Sequence, residues 1–355
     1  MLIRTDLPAD FRKDAYDMII ERVSPLTSLL ANPECLANSV IQADAKGHAN
    51  WMDTGDSEGA RESMVMVVGQ LDEGIKVGCM GNKARDSSMI TDKTRVKFPL
   101  PLVIPTKAPQ AITDLYNDQV FACVEQQAAG EAKSGPVGPN VRLESRGFAR
   151  APGVPGHATM TGENAVIHMS SGDLYVIPPR LDAVTQGVSI QRSSRRAGGA
   201  GGANTAATAP ENTGTNPVTL QTTYAASDFP DYDASRFSLS RARAVQFDFR
   251  DIENKLVPTP RLHEVFRPGT LVICTCSLSM WKFTKEGEES HTYQLIVKSM
   301  RVIDDTPVYV DYTTTPEPVA GTPLPRISPQ KRLAEFDSLD FTTPTKKVKT
   351  LRKRQ

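Results

Sequence analysis

The chain has 355 residues, enough for two ordinary domains or for one large domain with disordered appendages. Its 41 Lys and Arg residues balance 41 Asp and Glu residues, which excludes a histone-like polycation. The 5 cysteines are scattered, so we expect a reducing compartment rather than a secreted disulfide scaffold. The charged N-terminal stretch does not resemble a secretory signal, and no apolar run approaches the about 18 residues of a membrane-spanning helix. We therefore expect a soluble intracellular protein with no membrane partner.

Residues 1–184 are predicted to form a mixed α/β N-terminal domain. Residues 9–31 and 110–129 carry apolar side chains at three- and four-residue steps, which is typical of amphipathic helices. The proline-broken run VKFPLPLVIPTKAP predicts an edge strand or a packed extended arm. The run ENAVIHMSSGDLYVIPPR predicts a hairpin that closes this domain.

Residues 185–236 are predicted to be a flexible linker or a long mobile loop. The segment is rich in Gly, Ala, Thr and Asn and has almost no side chains to bury. Its glycine run, GGAGGAN, lacks the following Lys-Ser/Thr of a phosphate-binding loop. Arg192, Arg195 and Arg196 could contact phosphate, although a solvated loop is the preferred interpretation.

Residues 237–313 are predicted to form a β-rich unit of at least four strands. The run ARAVQFDFRDI alternates apolar and polar residues, as does a strand with one covered face. TLVICTCSLSMWKF and HTYQLIVKSMRVID flank a charged turn and predict a long hairpin.

The strand predicted from Leu271 to Phe283 has two faces of different chemistry, because successive side chains point to opposite faces of a sheet. The apolar face, expected to join the core, comprises Val272, Cys274, Cys276, Leu278 and Met280. The other face offers hydroxyls that give way to aromatic rings, and it comprises Thr275, Ser277, Ser279, Trp281 and Phe283. Bases of single-stranded nucleic acid stack on such rings, so this second face is a predicted interface.

The predicted hairpin supplies the candidate nucleic-acid-binding residues. Rings expected to stack on bases are Trp281, Phe283 and Tyr293, and cations expected to hold the backbone are Lys282, Lys285, Lys298 and Arg301. Each stacked base would contribute about 1–3 kcal/mol. The alternative interpretation is that these rings cover the second face of a sheet that packs against the N-terminal domain.

The same segment resembles an OB-fold of the single-strand-binding kind. The resemblance lies in the order of strand, strand, charged turn and strand, with GTLVICTCSLSMWKF leading to YQLIVKSMRVID. The segment is also similar to predicted proteins encoded beside mobile elements in fungal genomes, which share an apolar strand ending in an aromatic residue. The resemblance covers residues 237–312. It implies an α+β protein whose C-terminal unit is an antiparallel, OB-like β-barrel that binds single-stranded DNA or RNA.

The sequence carries no catalytic signature, so we expect neither an enzyme nor a cofactor. Cys274 and Cys276 could approach His263 or His291 around a metal, but zinc ligands usually come in pairs from tight turns, and no second pair exists. We therefore expect buried thiols and no metal site. The histidines are dispersed, and none lies in a nucleophile elbow.

Residues 314–355 are predicted to be a disordered, basic tail. Its cations are Lys331, Arg332, Lys346, Lys347, Lys349, Arg352, Lys353 and Arg354. Their bipartite spacing predicts a nuclear localisation signal that is read by a nuclear import receptor, and the same charges could contact a nucleic-acid backbone.

The leading hypothesis is a nuclear protein that binds single-stranded DNA or RNA by aromatic stacking and by salt-dependent attraction. The alternative is a structural, coat-like assembly protein of a virus or mobile element. Such a protein would form a homo-oligomer, and its basic tail would neutralise enclosed nucleic acid.

Overall fold

A computed structural model describes residues 2–3, 7–8, 10–44, 48–54, 61–85, 88–133, 142–150, 165–178, 217–285 and 288–310. The helices are α1 (Lys13–Met18), α2 (Gln110–Lys133) and α3 (Leu262–Val265), and a π-helical segment, Ile19–Val23, continues α1. The strands are β1 (Leu2–Ile3), β2 (Ser39–Ala43), β3 (Ala49–Asp53), β4 (Arg61–Glu62), β5 (Met64–Leu71), β6 (Ile90–Thr91), β7 (Leu102–Val103), β8 (Arg142–Arg146), β9 (Ala149–Arg150), β10 (Val166–Ile167), β11 (Met169–Ser171), β12 (Tyr175–Val176), β13 (Thr223–Tyr224), β14 (Phe237–Ser238), β15 (Arg243–Val245), β16 (Asp248–Arg250), β17 (Leu271–Lys285), β18 (Glu288–Asp304) and β19 (Tyr309–Val310).

Most strands belong to one 12-stranded sheet, in which β17 and β18 form a long hairpin as predicted. Hydrogen-bonded neighbours follow the order β11-β18-β17-β5-β7-β10-β9. Outside this order, β8 and β16 pair with β18, β3 pairs with β17, and β2 and β4 pair with β3. Most pairs are antiparallel, whereas β8, β11 and β16 run parallel to β18. A fold of mixed helices and mainly antiparallel sheets is thus confirmed.

The expected C-terminal β-barrel is wrong as a separate closed unit. Within the described part of the chain, the strand pairing gives an open path rather than a closed barrel. β17 also pairs with β5, from Leu271 opposite Gln70 to Ser277 opposite Met64. Because β5 belongs to residues 1–184, the sheet crosses the boundary that the sequence suggested at residues 185–236.

The two faces of β17 divide as the alternation predicts. The core-facing residues are at most 3% exposed and comprise Val272, Cys274, Cys276, Leu278 and Met280. They belong to one large apolar cluster together with Val65 and Val67 of β5 and with Leu295 of β18. The opposite face of β17, which carries Trp281, is called the outer face below.

Only the first half of the outer face is covered by a helix. Ile19 and Val23 of the π-helical segment belong to a second apolar cluster with Met66 and Ile273. The helix predicted over residues 9–31 is therefore real but shorter, and it ends before Pro25. From Ser277 onward, the outer face of β17 extends past this helix.

An irregularity in β18 changes which side chains reach the outer face. Thr275 pairs with Ser299 but Cys276 pairs with Val297, so Lys298 is an extra residue, or β-bulge. Before the bulge the odd-numbered residues of β18 face the core, and after it the even-numbered residue Met300 does. The bulge therefore keeps both halves of β18 in the core and leaves Lys298 exposed.

Helix α2 packs across the sheet and continues four residues beyond the predicted end at residue 129. Gln119 is buried, accepts a hydrogen bond from Val68 N at 2.7 Å and donates to Val68 O at 3.0 Å. Gly130 lies within the helix. A Cβ atom at this position would lie 2.8 Å from Tyr293 Cε1, so glycine allows the helix to approach the hairpin closely.

One local prediction, a hairpin, fails on pairing. The hairpin predicted from ENAVIHMSSGDLYVIPPR does not form, because β11 pairs with β18 whereas β12 pairs with β15. Residues 217–236, the last part of the expected linker, contain β13 and two short helices. Phe229 is 3% exposed, and Asp231 accepts a hydrogen bond from Cys79 N, so this stretch packs on the fold.

Residues 185–216 and the tail 314–355 lie outside the described residues. Their predicted flexibility and the basic localisation signal therefore stay predictions. Among the helices that the structure does describe, none combines the length and apolarity needed to cross a membrane.

Arg12 joins the N-terminal segment to the sheet through a buried network. Its guanidinium donates to Asp304 Oδ1 at 2.8 Å and to Gln70 Oε1 at 2.9 Å. It also donates to the carbonyl oxygens of Gly269 and Thr306. Arg12 and Asp304 are each 6% exposed, so removing one partner would leave a buried charge without its counterion.

We expect Arg12→Ala to lower the free energy of unfolding by about 3–5 kcal/mol, because Asp304 would stay buried and unpaired. Urea denaturation followed by circular dichroism measures this change. Lys13→Ala is the matched control, since Lys13 is exposed on α1. The double variant Arg12→Ala/Asp304→Ala should recover part of the loss. Equal midpoints for Arg12→Ala and Lys13→Ala would contradict the network.

Candidate nucleic-acid interface

The part of the outer face beyond the helix includes side chains of three neighbouring strands, β17, β18 and β3. Pairing partners lie side by side on the same face of a sheet, so register identifies the neighbours. Ser279 pairs with Gln294 of β18 and with Asn50 of β3, and Ser279 Oγ lies 2.7 Å from Asn50 Oδ1. Trp281 pairs with Thr292 in the same hairpin. Polar side chains thus make up this part of the outer face, and the aromatic ring of Trp281 lies nearer the tip of the hairpin.

Trp281 is half-buried on this face. Its ring centroid lies 4.2 Å from that of His48, with the two planes tilted by 59°. Two cations lie over the indole, with Lys97 Nζ at 5.6 Å and Arg95 Cζ at 5.9 Å from the ring centroid. Both distances are in the range of a cation–π interaction, which extends to about 6 Å.

These contacts show that the hairpin curves toward the outer face. Residues 96–100 run beside β11, and β11 runs beside β18, so register places Lys97 next to Lys298. Trp281 pairs with Thr292, six residues from Lys298, which is about 20 Å along a straight strand. Lys97 reaches the indole because the strands bend, and bulges such as the one at Lys298 increase bending. The outer face is therefore concave.

Lys97, Arg95 and Lys298 give the concave face a positive electrostatic character. Burial lowers the pKa of Lys97, and the like charges of Arg95 and Lys298 lower it further, whereas Asp173 acts in the opposite sense. Two carboxylates offset part of this charge. Glu62 Oε2 lies 2.7 Å from Lys298 Nζ, and Asp173 Oδ2 lies 3.9 Å from Arg95 Nε. Because these three cations and two carboxylates meet on this face, the sum of their formal charges is positive.

Phe283 extends the aromatic surface to the end of the hairpin. Its side chain is 54% exposed, a high value for a phenylalanine in a strand. It lies two residues beyond Trp281 and therefore on the same face. The two predicted stacking rings that share this face are thus partly or largely accessible.

The structure buries two other predicted site residues, Tyr293 and Arg301. Tyr293 pairs with Met280, faces the core and is 2% exposed, and burial raises the pKa of its hydroxyl. Its ring is 5.2 Å from that of Phe148, so it packs in the core rather than offering a stacking surface. Arg301 is 8% exposed and is likewise removed from the surface.

Lys282 also points away from Trp281, because successive residues alternate. Its Nζ lies 2.8 Å from Glu289 Oε1, and the hydrogen bond from Lys282 lowers the pKa of that carboxyl. His291 Nε2 lies 2.8 Å from the same oxygen. Lys282 therefore forms an ion pair with Glu289. The side chain of Lys285 lies outside what the structure describes.

Sequence reasoning did not find His48, Arg95 or Lys97. Their contribution depends on the pairing of distant segments around the hairpin, which no local pattern reveals. One signal was present, since Arg95 and Lys97 alternate with Val96 and Phe98, both 0% exposed. That alternation marks an extended segment with one buried and one charged face.

The thiols considered as metal ligands are core residues. Cys274 and Cys276 are at most 1% exposed, and burial raises the pKa of both. Cys276 Sγ lies 3.7 Å from Met169 Sδ. Over the described ranges, no group of three or more metal-ligating side chains comes together.

No protein-family profile and no curated protein matches the chain. Among solved structures, the chain is similar to gp2.5, a single-stranded DNA-binding protein encoded by bacteriophage T7. The identity is 10% and the TM-score 0.30, over 72% of this chain and 98% of that chain. The single-stranded DNA-binding protein from bacteriophage Enc34 has 12% identity and a TM-score of 0.27, over 78% and 97%. Its complex with single-stranded DNA has 11% identity and a TM-score of 0.29, over 77% and 98%.

We expect the pKa of Lys97 to be lower than that of Lys13, whose hydrogen bond to Asp17 raises its pKa. Arg95→Gln should raise the pKa of Lys97 because it removes a like charge. Titration of the lysine side-chain amines by NMR measures both values. If Lys97 titrates with Lys13 and does not respond to Arg95→Gln, the cations do not converge as described.

Proposed function

We propose that this protein binds single-stranded nucleic acid, DNA or RNA, along the concave outer face of the β17–β18 hairpin. The observation that carries the proposal is the convergence of Arg95 and Lys97 beside Trp281, with Lys298 close enough to lower the pKa of Lys97 and with Phe283 exposed further along the same strand. Proteins that bind single strands without sequence preference combine a positive groove with aromatic rings on which bases stack.

The electrostatics of Lys97 favour a polyanionic ligand. Crowded cations disfavour one another's charged forms, and a nearby anion favours them. A phosphate bound between Lys97 and Lys298 would therefore relieve a repulsion that exists in the free protein. Because the whole chain is neutral, this attraction is local to the concave face.

The aromatic residues favour a single strand over a duplex. Phe283 can stack only on a base whose face is free, and duplex bases already stack on one another. Trp281 has His48 and two cations around its ring, so its main role is to hold Arg95 and Lys97 in place. Phe283 is accordingly the primary stacking residue.

The OB-like character implied by the sequence is part of this proposal. β10 and β11 are separated only by His168, yet β10 pairs with β7 and β11 pairs with β18. Residues 166–171 therefore pair with β7, near one end of the strand order, and with β18, near the other end. Such a connection supports an OB-like arrangement, in which strands curve around a core and present one face to a single strand.

We expect Phe283→Ala to weaken binding of a thymidine oligonucleotide of about 15 nucleotides by about 1–3 kcal/mol, because one stacked base is lost. Lys97→Gln should reduce the dependence of log K on log salt by about 0.7, because one phosphate contact is lost. Fluorescence anisotropy at several salt concentrations measures both effects.

Matched controls are available elsewhere on the surface. Phe121→Ala removes another exposed ring, 45% exposed on α2, and Lys13→Gln removes an exposed cation on α1. Neither should change the affinity. Equal effects of the site and control variants would contradict the proposal. Large, concentration-independent particles in light scattering would instead favour the coat-like homo-oligomer.

A nuclear location is a further part of the proposal, and it is supported by the tail sequence alone. We expect residues 326–355, fused to a fluorescent tandem too large to diffuse through nuclear pores, to accumulate in nuclei by way of an import receptor. Replacing Lys346, Lys347 and Lys349 by Ala should abolish the accumulation. Fluorescence microscopy of the two fusions measures their nuclear accumulation. Equal distributions of the two fusions would contradict the proposed localisation signal.

A further inference from the structure

Strand β8 adds an exposed cation, Arg146, to the outer face of the hairpin. β8 runs parallel to β18 with Arg146 in register with Thr292, and Thr292 pairs with Trp281 of β17. Pairing partners lie on the same face of a sheet, so these three residues form one row across three strands. Neighbouring strands are about 4.8 Å apart, which places the Cα atoms of Arg146 and Trp281 about 10 Å from each other.

The chain neighbours of Arg146 fix the direction of its side chain. Ser145 Oγ donates a hydrogen bond of 2.8 Å to Glu131 Oε1 of α2, the helix that packs on the core side of the hairpin. A Cβ atom at Gly147 would clash with Gln127 Oε1 of the same helix. Because side chains alternate along a strand and both neighbours face α2, Arg146 points to the outer face.

Arg146 differs from other cations of this face in its electrostatic surroundings. Lys298 lies 2.7 Å from a carboxylate oxygen, and Arg95 lies 3.9 Å from one. Within the part of the chain that the structure describes, no carboxylate forms an ion pair with Arg146. Glu289 of the paired strand β18 points to the opposite face and is bound by Lys282. The charge of Arg146 is therefore not compensated by these residues.

Resting on the proposed function, we infer that Arg146 contacts a phosphate of the bound single strand, next to the nucleotide whose base stacks on Phe283. Phe283 pairs with Ser290 of β18, two residues from Thr292 toward the hairpin tip. Phe283 and Arg146 thus lie in adjacent rows of the outer face, and both are exposed. A base stacked on Phe283 carries its sugar and phosphate beyond the ring, within reach of a long arginine side chain.

The chemistry of this part of the face fits a strand better than a single nucleotide. A guanidinium group presents a planar fork of N–H donors that binds two phosphate oxygens at once. On β18, the side chains of the outer face between this row and Lys298 are uncharged and half-buried, and they are Thr292, Gln294 and Ile296. A strand of several nucleotides supplies phosphates at both ends of this uncharged strip, whereas one nucleotide does not reach both.

Arg146→Gln should weaken binding of a thymidine oligonucleotide of about 15 nucleotides by about 10-fold at low salt, the effect of one charge-assisted hydrogen bond. It should also reduce the dependence of log K on log salt by about 0.7, because one phosphate contact is lost. Arg146→Lys keeps the charge and should retain the salt dependence. Arg267→Gln is the matched control, since Arg267 is exposed beyond the other end of β17 and should change neither quantity. Because both arginines are exposed, no variant should lower the urea midpoint.

The double variant Arg146→Gln/Lys97→Gln tests whether one strand contacts both cations. Two phosphate contacts on the same strand should add, so the salt dependence should fall by about 1.4. Fluorescence anisotropy at several salt concentrations measures all of these changes. A double variant that loses no more salt dependence than Arg146→Gln alone would overturn the inference.

The remaining outcomes separate this inference from the proposed function. If the wild-type chain binds and Phe283→Ala weakens binding, but Arg146→Gln changes neither affinity nor salt dependence, the inference is overturned and the proposed function stands. Lower affinity with an unchanged salt dependence would assign Arg146 to a base, and it would also overturn the phosphate contact. No binding of any oligonucleotide by the wild-type chain would overturn the proposed function itself.

Discussion

The antiparallel pairing of β17 with β18 is the constraint on which both the core and the site depend. A strand has a period of two, so each residue that enters the core fixes its neighbours on the opposite face. Cys276 and Leu278 fill the core while Ser277 and Trp281 lie on the outer face. A slip of one residue would exchange these sets, and the core and the site would be lost together.

The outer face combines features that work against stability. Cations near Lys97 repel one another, and the partial burial of Lys97 also disfavours its charged form. Other buried polar groups of the fold are hydrogen-bonded, as in the network around Arg12. Local conflicts of this kind, in an otherwise consistent fold, are expected where a surface is kept for a ligand.

The sequence predicted what depends on local pattern and missed what depends on register between distant strands. Alternation alone identified the two faces of β17, and it therefore placed Trp281 and Phe283 together. It could not show that Tyr293, which it proposed as a stacking ring, lies opposite Met280 and therefore points into the core. Arg95 and Lys97 reach Trp281 only because β11 lies between their segment and β18 and because the hairpin curves. Neither condition has a signature in a single stretch of residues.

Photo-crosslinking of an iodouracil-substituted single strand to the full-length chain, followed by peptide mapping, tests the central claim most directly. If the concave face binds the bases, crosslinks should fall in the segment from Ser277 to Phe283 and should be lost when unlabelled single strand competes. Crosslinks confined to the exposed surface of α1 or to Phe121 of α2 would place the nucleic acid elsewhere and contradict the account.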